Sequence, residues 1–442
     1  MTHPQPQPPK LHQPPFSVRT LLLGVAGFLL VILGAQPALD LWTVNSIGLS
    51  HNRYLITHSE AVRGQAVAQA EAALKAGLST TSFWRVYGAM MATNPTEAGF
   101  SALNRAAVSG ALDRTALLWY GEVAAATGHW TEAQDAYAQV NASNLLISRA
   151  EEALGAGREE LAANWFRAAA RCLQSASTWD EAHPSSSRWI AHGAGEEEIR
   201  STGYYARAYL RIGKGFLVLG EADTAETWLK HAAAEAARES PGLRIRQEIN
   251  FSLAQAATAR PVEDDAHLRA TRTRVRTLVA EGLALGEDAW AHTQAAKSLL
   301  AVFDREEAIT HCETAVSLDP LFPEAYLLLG AILREDGLVC LARDVYEEGN
   351  ERLPADEEIM VALALATWET RSPANSLPVL QEASAAGCSE PYVYAALGDC
   401  YQALGLLTDA RQAYRQGLNL TPGSQPLLER LRACPTTRGI LP

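Results

Sequence analysis

The sequence predicts an all-α protein, an α-solenoid of helix pairs preceded by a single transmembrane helix. Three observations carry this. His292, Tyr326, Met360 and Tyr394 are spaced 34 residues apart, and no insertion or deletion interrupts the run from His292 to Pro422. Within that run apolar residues recur at helical spacing, punctuated by Gly and Pro. Far ahead of it, Thr20 to Leu39 is twenty residues without a charge. As a helix it would span about 30 Å, the thickness of the hydrocarbon core.

The register is cleanest in two copies. Tyr326, Gly330, Leu333, Gly337, Ala342, Tyr346, Gly349 and Pro354 are matched in spacing by Tyr394, Gly398, Tyr401, Gly405, Ala410, Tyr414, Gly417 and Pro422. Each position has a physical reading. Gly337 and Gly405 suit the left-handed conformation that ends a helix. Gly330, Gly398, Ala342 and Ala410 are small where paired helices cross closely, with Tyr346 and Tyr414 filling the space beside them. Pro354 and Pro422 stop the second helix, because proline lacks the N–H donor and clashes with the preceding turn. The copy from His292 to Pro320 keeps Ala296, Ala308, Ala315 and Pro320, but has Phe303 for the turn glycine and Cys312 for the aromatic. The copy from Met360 to Cys388 keeps Ala364, Leu380 and Ala383, with Ser376 and Pro378 inside the expected second helix. That helix is expected to be kinked or to start late. This period and pattern resemble the tetratricopeptide repeat, a helix-turn-helix unit of the same length.

Composition bounds the rest. A chain of 442 residues holds one long array or two or three domains. An apolar fraction of 48% is enough for a continuous core, and frequent alanine with few β-branched runs favours helix. The net charge of −13 argues against general binding to nucleic acid or anionic lipid. Six cysteines are scattered with no CxxC. Cys312 and Cys400 read as small core residues, and no disulfide pair is assignable.

In chain order, residues 1–19 form a Pro-, Gln- and His-rich tail of extended, disordered composition. Residues 20–42 are expected to be a signal anchor. Arg19 and Asp40 bound the uncharged stretch, and Trp42 is placed for the membrane interface. Cleavage after Ala35 or Ala38 would put Leu33 or Gln36 where a signal peptidase wants a small residue. Gln36-Pro37 shortens the strongly apolar part to Leu21–Ala35. Lys10 and Arg19 ahead of it set the tail in the cytoplasm and the repeats outside, in a single-pass cell-membrane protein.

Residues 43–112 read as helical pairs. Ala61 to Lys75 is one amphipathic helix, and a pair follows around Asn94-Pro95. In 113–240 the repeat spacing returns: Gly121, Ala124, Gly128, Trp130, Ala133 and Tyr137, then Ala150, Ala153, Gly157, Ala162, Phe166 and Ala169, about 29 residues on. Tyr209, Gly213, Phe216, Gly220, Ala225 and Ala232 give another copy. An insertion at 174–203 breaks the period with Ser, Gly, His, Pro, Trp179 and Trp189. It reads as a packed surface loop, with a partner-contacting loop as the alternative. Residues 241–288 are a degenerate pair whose second helix carries Arg269, Arg272 and Arg276 on one face, with Arg274 off it. A solvated face paired to nearby acids is the plain reading, and an acidic-partner patch the other. Four tandem repeats fill 289–424. Residues 425–442 give a capping helix, Gln425 to Arg432, and a tail.

No catalytic arrangement is visible: no phosphate loop, no HExxH, no GxSxG. No cofactor or metal is implied. His183, His192, Asp180 and Glu181 share the insertion as scattered loop residues, and Glu196–Glu198 reads as an exposed acidic run. Adjacent His311 and Cys312 would point about 100° apart on a helix and so not share a metal. What remains is surface. In tetratricopeptide arrays the first helix of each pair lines a groove for a peptide or helix. The resemblance therefore implies partner-binding positions at Leu327, Leu328, Ala331 and Arg334, at Val361, Leu365 and Trp368, and at Tyr392, Asp399 and Gln402. These are largely apolar, unlike the Lys and Asn of carboxylate-clamping members. They suit an amphipathic helix or hydrophobic peptide, unless a neighbouring segment of the same chain fills the groove. The expected function is a non-enzymatic, membrane-anchored scaffold in assembly of a membrane or cell-envelope complex. The alternatives are a permanent accessory subunit of a membrane enzyme or transporter, and an enzyme with its site in the insertion.

Overall fold

The structure, a computed structural model, describes residues 40–182, 203–239 and 241–435. Among these residues the protein is all helix and turn, with no strand. Helix α1 covers 40–57. It is followed by α2 (Glu60–Lys75), α3 (Thr81–Thr93), α4 (Glu97–Val108), α5 (Arg114–Ala126), α6 (Trp130–Val140), α7 (Ser143–Gly155) and α8 (Glu159–Ala182). Then come α9 (Tyr204–Val218), α10 (Ala222–Glu239), α11 (Leu243–Thr258), α12 (Asp265–Ala284), α13 (Ala289–Leu300) and α14 (Arg305–Leu318). The last are α15 (Pro323–Glu335), α16 (Val339–Arg352), α17 (Glu357–Thr370), α18 (Pro373–Ala385), α19 (Pro391–Ala403), α20 (Leu407–Leu420) and α21 (Gln425–Ala433). Thr20 to Leu39, His183, His192 and Glu196–Glu198 lie outside the described residues. No described helix is long and apolar enough to cross a membrane.

The chain divides into two compact units. Of the described residues, the first takes 40–149 and 167–182, and the second takes 150–166 and 203–435. In the first, α1 buries Val44, Ile47 and His51, and Ser50 donates to Gln69 of α2 at 3.1 Å. The sequence pattern does not reveal α1 as a separate helix. Local signals set the next starts: Thr80, Thr96 and Asp113 each accept a backbone N–H of the first turn, at 3.2, 3.1 and 2.9 Å. The insertion is not irregular from its beginning, because α8 runs on to Ala182.

In the second unit the first helices of consecutive pairs, α9, α11, α13, α15, α17 and α19, touch one another and form a continuous layer. One contact recurs in six of the helix pairs. A small residue on the first helix faces a residue sixteen positions on, in the second helix. A Cβ added at Gly330 would lie 2.3 Å from the Tyr346 ring, and one at Gly398 equally close to Tyr414. Gly213 meets Leu229 in the same way, and in the first unit Gly121 meets Tyr137. Where the small residue is alanine, the partner shrinks: Ala296 shares a cluster with Cys312, and Ala364 one with Leu380.

Two departures concern the altered copies. Helix α18 neither starts late nor loses its register. Pro373 occupies its first turn, where a missing N–H costs nothing, and the buried Ser376 hydroxyl donates to the Thr367 and Ser372 carbonyls, 3.1 Å each. Pro378 sits inside the helix. In the His292 copy, Phe303 takes the left-handed turn itself, with φ +61°, as Gly337 and Gly405 do at +78° and +76°. All six cysteines are free thiols, and Cys312 and Cys400 are buried as expected.

Candidate partner-binding groove

The structure spreads the ten expected groove residues over different environments. Leu327 and Leu328 are half-buried. Leu327 packs on Ala342, Tyr346, Leu363 and Ala366, and Leu328 on Ala296, Leu299, Cys312 and Ile332. Val361, Leu365 and Trp368 are half-buried against Ala364, Leu380 and Leu397. Arg334 is engaged by Glu369, with Nε 3.1 Å from the carboxylate. Asp399 accepts from the Tyr414 hydroxyl at 2.8 Å and from Arg430 Nε at 3.1 Å, and Gln402 accepts from the same hydroxyl at 3.2 Å. Ala331 and Tyr392 are exposed. Five of the ten are thus packed on neighbours and three held in polar contacts, so little of this face is free apolar surface. A crevice beside Tyr392 holds only about 100 Å³, below the range of roughly 300–1,000 Å³ typical of ligand pockets.

A larger groove lies upstream, within the second unit. It holds about 750 Å³ and is lined by first helices: Glu151 and Leu154 of α7, Arg207 to Val218 of α9, and Arg244, Ile245 and Glu248 of α11. Phe166 of α8 closes its floor with Leu210, both buried. Gly215 is obligatory here, because a Cβ would stand 2.2 Å from the Phe166 ring. Ion pairs stitch the helices along the rim. Arg211 grips Glu151 with two bonds, 2.8 and 2.5 Å, and Glu151 pushes the Arg211 pKa further up. Lys214 lies 3.4 Å from Glu248. Arg244 bonds Asp288 at 2.8 Å and lays its guanidinium 4.0 Å over the Trp290 ring. Val218 is 73% exposed at one end. The signal was present in the sequence: Arg207, Arg211, Lys214 and Val218 follow the 4-3-4 spacing of one helical face.

On the arginine face of α12 the expected pairing with nearby acids is seen at Arg276. Arg276 pairs with Asp304 and Glu307 at 2.6 and 3.0 Å, and Arg272 donates to the Val302 carbonyl. Arg274, off that face, reaches Glu226. Among the described residues no group of three or more His, Cys, Asp or Glu side chains is placed to hold a metal ion.

Residues 391–424 match the family model of the tetratricopeptide repeat. That span is α19, its turn and α20, with the Gly398–Tyr414 contact inside it. No curated protein matches the chain. Among solved structures it is similar to pilF of Pseudomonas aeruginosa, with 16% identity over 51% of this chain and 96% of that one, and a TM-score of 0.37. It is also similar to the APC/C hetero-tetramer Cut9–Hcn1, with 10% identity over 94% of this chain and 99% of that one, at 0.36. A thermophilic TPR protein of Thermus thermophilus gives 17% identity over 52% and 98%, at 0.30. The tetratricopeptide repeat is a protein-interaction unit, and the helix pairs around it share its small-against-large contact.

Proposed function

We propose that the chain is a non-enzymatic scaffold that holds a segment of a partner protein in the groove along α7, α9 and α11. The observation that carries this reading is the 750 Å³ groove itself. Its size lies within the usual range of about 300–1,000 Å³, and it opens on the layer that the first helices of such repeats present to partners. The floor of Leu154, Phe166, Leu210 and Ile245 suits the apolar side of an amphipathic helix or an extended peptide. Four cations line it against two carboxylates, Arg207, Arg211, Lys214 and Arg244 against Glu151 and Glu248. Arg211, Lys214 and Arg244 are already paired with Glu151, Glu248 and Asp288, so recognition rests on the apolar floor rather than on free charge.

The same proposal places the protein at a membrane, anchored through Thr20–Leu39 with the repeats outside the cytoplasm, in assembly of a membrane or cell-envelope complex. The support for that part is in the sequence: twenty uncharged residues bounded by Arg19 and Asp40. The test is photocrosslinking in the membrane from a probe at Val218, followed by identification of the joined protein. Val218→Asp should weaken that partner at least tenfold, since the side chain is exposed and does not support the core. Undiminished binding would move the contact off this groove. A partner that stays stoichiometric through detergent extraction would make the chain a permanent accessory subunit instead.

A further inference from the structure

Helix α1 presents an exposed face, nowhere covered by the described residues, on which large apolar side chains are interleaved with Asn45, Asn52 and Arg53. Trp42, Leu49 and Ile56 are exposed at seven-residue spacing, 70% and 81% at the two ends, with Leu41 and Leu55 along one flank. The opposite face is spent on the first unit, through Val44, Ile47 and His51. The stripe begins directly after the uncharged stretch Thr20–Leu39. Beyond Asp40 at its start, the helix carries a single Arg or Lys, Arg53, and no acid.

We propose that this outward face of α1 lies on the bilayer surface, so that the first unit rests on the membrane rather than hanging from it. This rests on the anchor reading above for its delivery to the membrane, but the contact is its own. Tryptophan, leucine and isoleucine are side chains that settle at the boundary of headgroups and acyl chains. Arg53, on the edge of the face, can lay its aliphatic stem along the surface and keep its charge in water. The face is charge-poor, so the contact needs apolar burial and not anionic headgroups, in keeping with the acidic chain. A second copy of α1 is the rival occupant, and the seven-residue spacing invites it. Against it, Asn45 and Asn52 stand at the intermediate positions where a two-stranded coiled coil wants apolar side chains.

The experiment places p-benzoylphenylalanine at Leu49 in the full chain, reconstituted in deuterated phosphatidylcholine nanodiscs, and reads the adducts by mass. The expected product is a lipid adduct from position 49 and none from the same probe at Glu71, exposed on α2. A crosslinked dimer, an adduct elsewhere in the chain, or no adduct overturns the inference. Carbonate extraction separates it from the anchor. A chain retained in the bilayer without a lipid adduct sinks this contact and leaves the anchor. A chain released yet crosslinked sinks the anchor and leaves the contact. A chain released and not crosslinked overturns both.

Discussion

The Nδ1 atoms of His292 and His311 lie 2.9 Å apart, bridging α13 and α14. One imidazole must carry a proton there and the other must not. His292 is buried, and its Nε2 has no hydrogen-bond partner among the described residues. Glu287 stands off at 4.0 Å from that atom. Burial lowers the pKa of both rings, and for His311 the neighbouring His292 lowers it further, while Glu287, Asp288 and Glu307 pull the other way. Two cations at this separation would forfeit the bond and repel.

The direction of the pH effect follows. In the unfolded chain each imidazole takes a proton near pH 6.5, whereas in the folded chain it does so only at lower pH. Below that value the unfolded state therefore binds more protons, and stability falls as pH drops. Urea unfolding should show a lower midpoint at about pH 5.5 than at about pH 7.5. The pair His292→Tyr and His311→Val copies the residues of the next repeat, Tyr326 and Val345, and should flatten much of that difference. An unchanged slope in the double variant would remove the histidines from the account.

That contact shows where sequence reasoning stops. Helix positions, turn glycines and the Gly330–Tyr346 contact were readable, because each is local or repeats at a fixed period. His292 was visible only as the first marker of the repeat, and His311 only as the neighbour of Cys312. Their adjacency needs the turn between α13 and α14 closed. The groove at Arg211 and Lys214 was obscured for a related reason: the shortened linker before Ala150 and the insertion hide which helices stand side by side. Helix α1 escaped because its outward Trp42, Leu49 and Ile56 are as apolar as its buried Val44 and Ile47, which blurs the helical period. Leu365 and Trp368 were correctly placed on a first helix, but whether such a face is open or packed depends on neighbours the pattern does not specify.

Phe303 holds a backbone conformation that its repeat counterparts give to glycine. A non-glycine residue in the left-handed region costs about 1–2 kcal/mol, and its side chain is 68% exposed, so little burial offsets this. Phe303→Gly should raise stability by about 1 kcal/mol, less than the full strain because glycine also frees the unfolded chain. Phe303→Ala, which keeps the Cβ, should gain almost nothing. Denaturation midpoints of the two variants decide it, and equal gains would mean that the side chain and not the turn is at fault.

The size exchange between first and second helices predicts a coupled pair. Gly330→Ala improves helix propensity by about 1 kcal/mol, yet it drives a methyl group into the Tyr346 ring. Overpacking of this kind costs about 1–3 kcal/mol, so the net effect should be destabilising. Tyr346→Leu alone leaves a void. Together they recreate the Ala364 and Leu380 combination found one repeat later, and the double variant should be more stable than the sum of the single effects implies. Additive losses in a double-mutant cycle would show that the two sites relax independently.

Glu226 tests the charge cluster of the second unit. Its carboxylate is 5% exposed, yet it meets Arg260 and Arg274 at 2.6 Å each and Lys230 at 2.7 Å. Those cations, Arg274 foremost, hold its pKa down to about 2. The stability this confers is complete above the unfolded value of 4.5 and disappears as pH falls from there toward 2. Since Arg274 lies on α12 and Arg260 just after α11, the carboxylate ties three successive elements. Glu226→Gln keeps the shape and removes the charge. It should cost about 3 kcal/mol, the low end for breaking a buried pair, because the cations keep some access to water. It should also weaken the acid dependence of unfolding between pH 4.5 and 2. If the glutamine variant unfolds with the wild-type midpoint and acid slope, the cluster is an ornament of the surface, and the packing of α10 against α11 and α12 carries the junction alone.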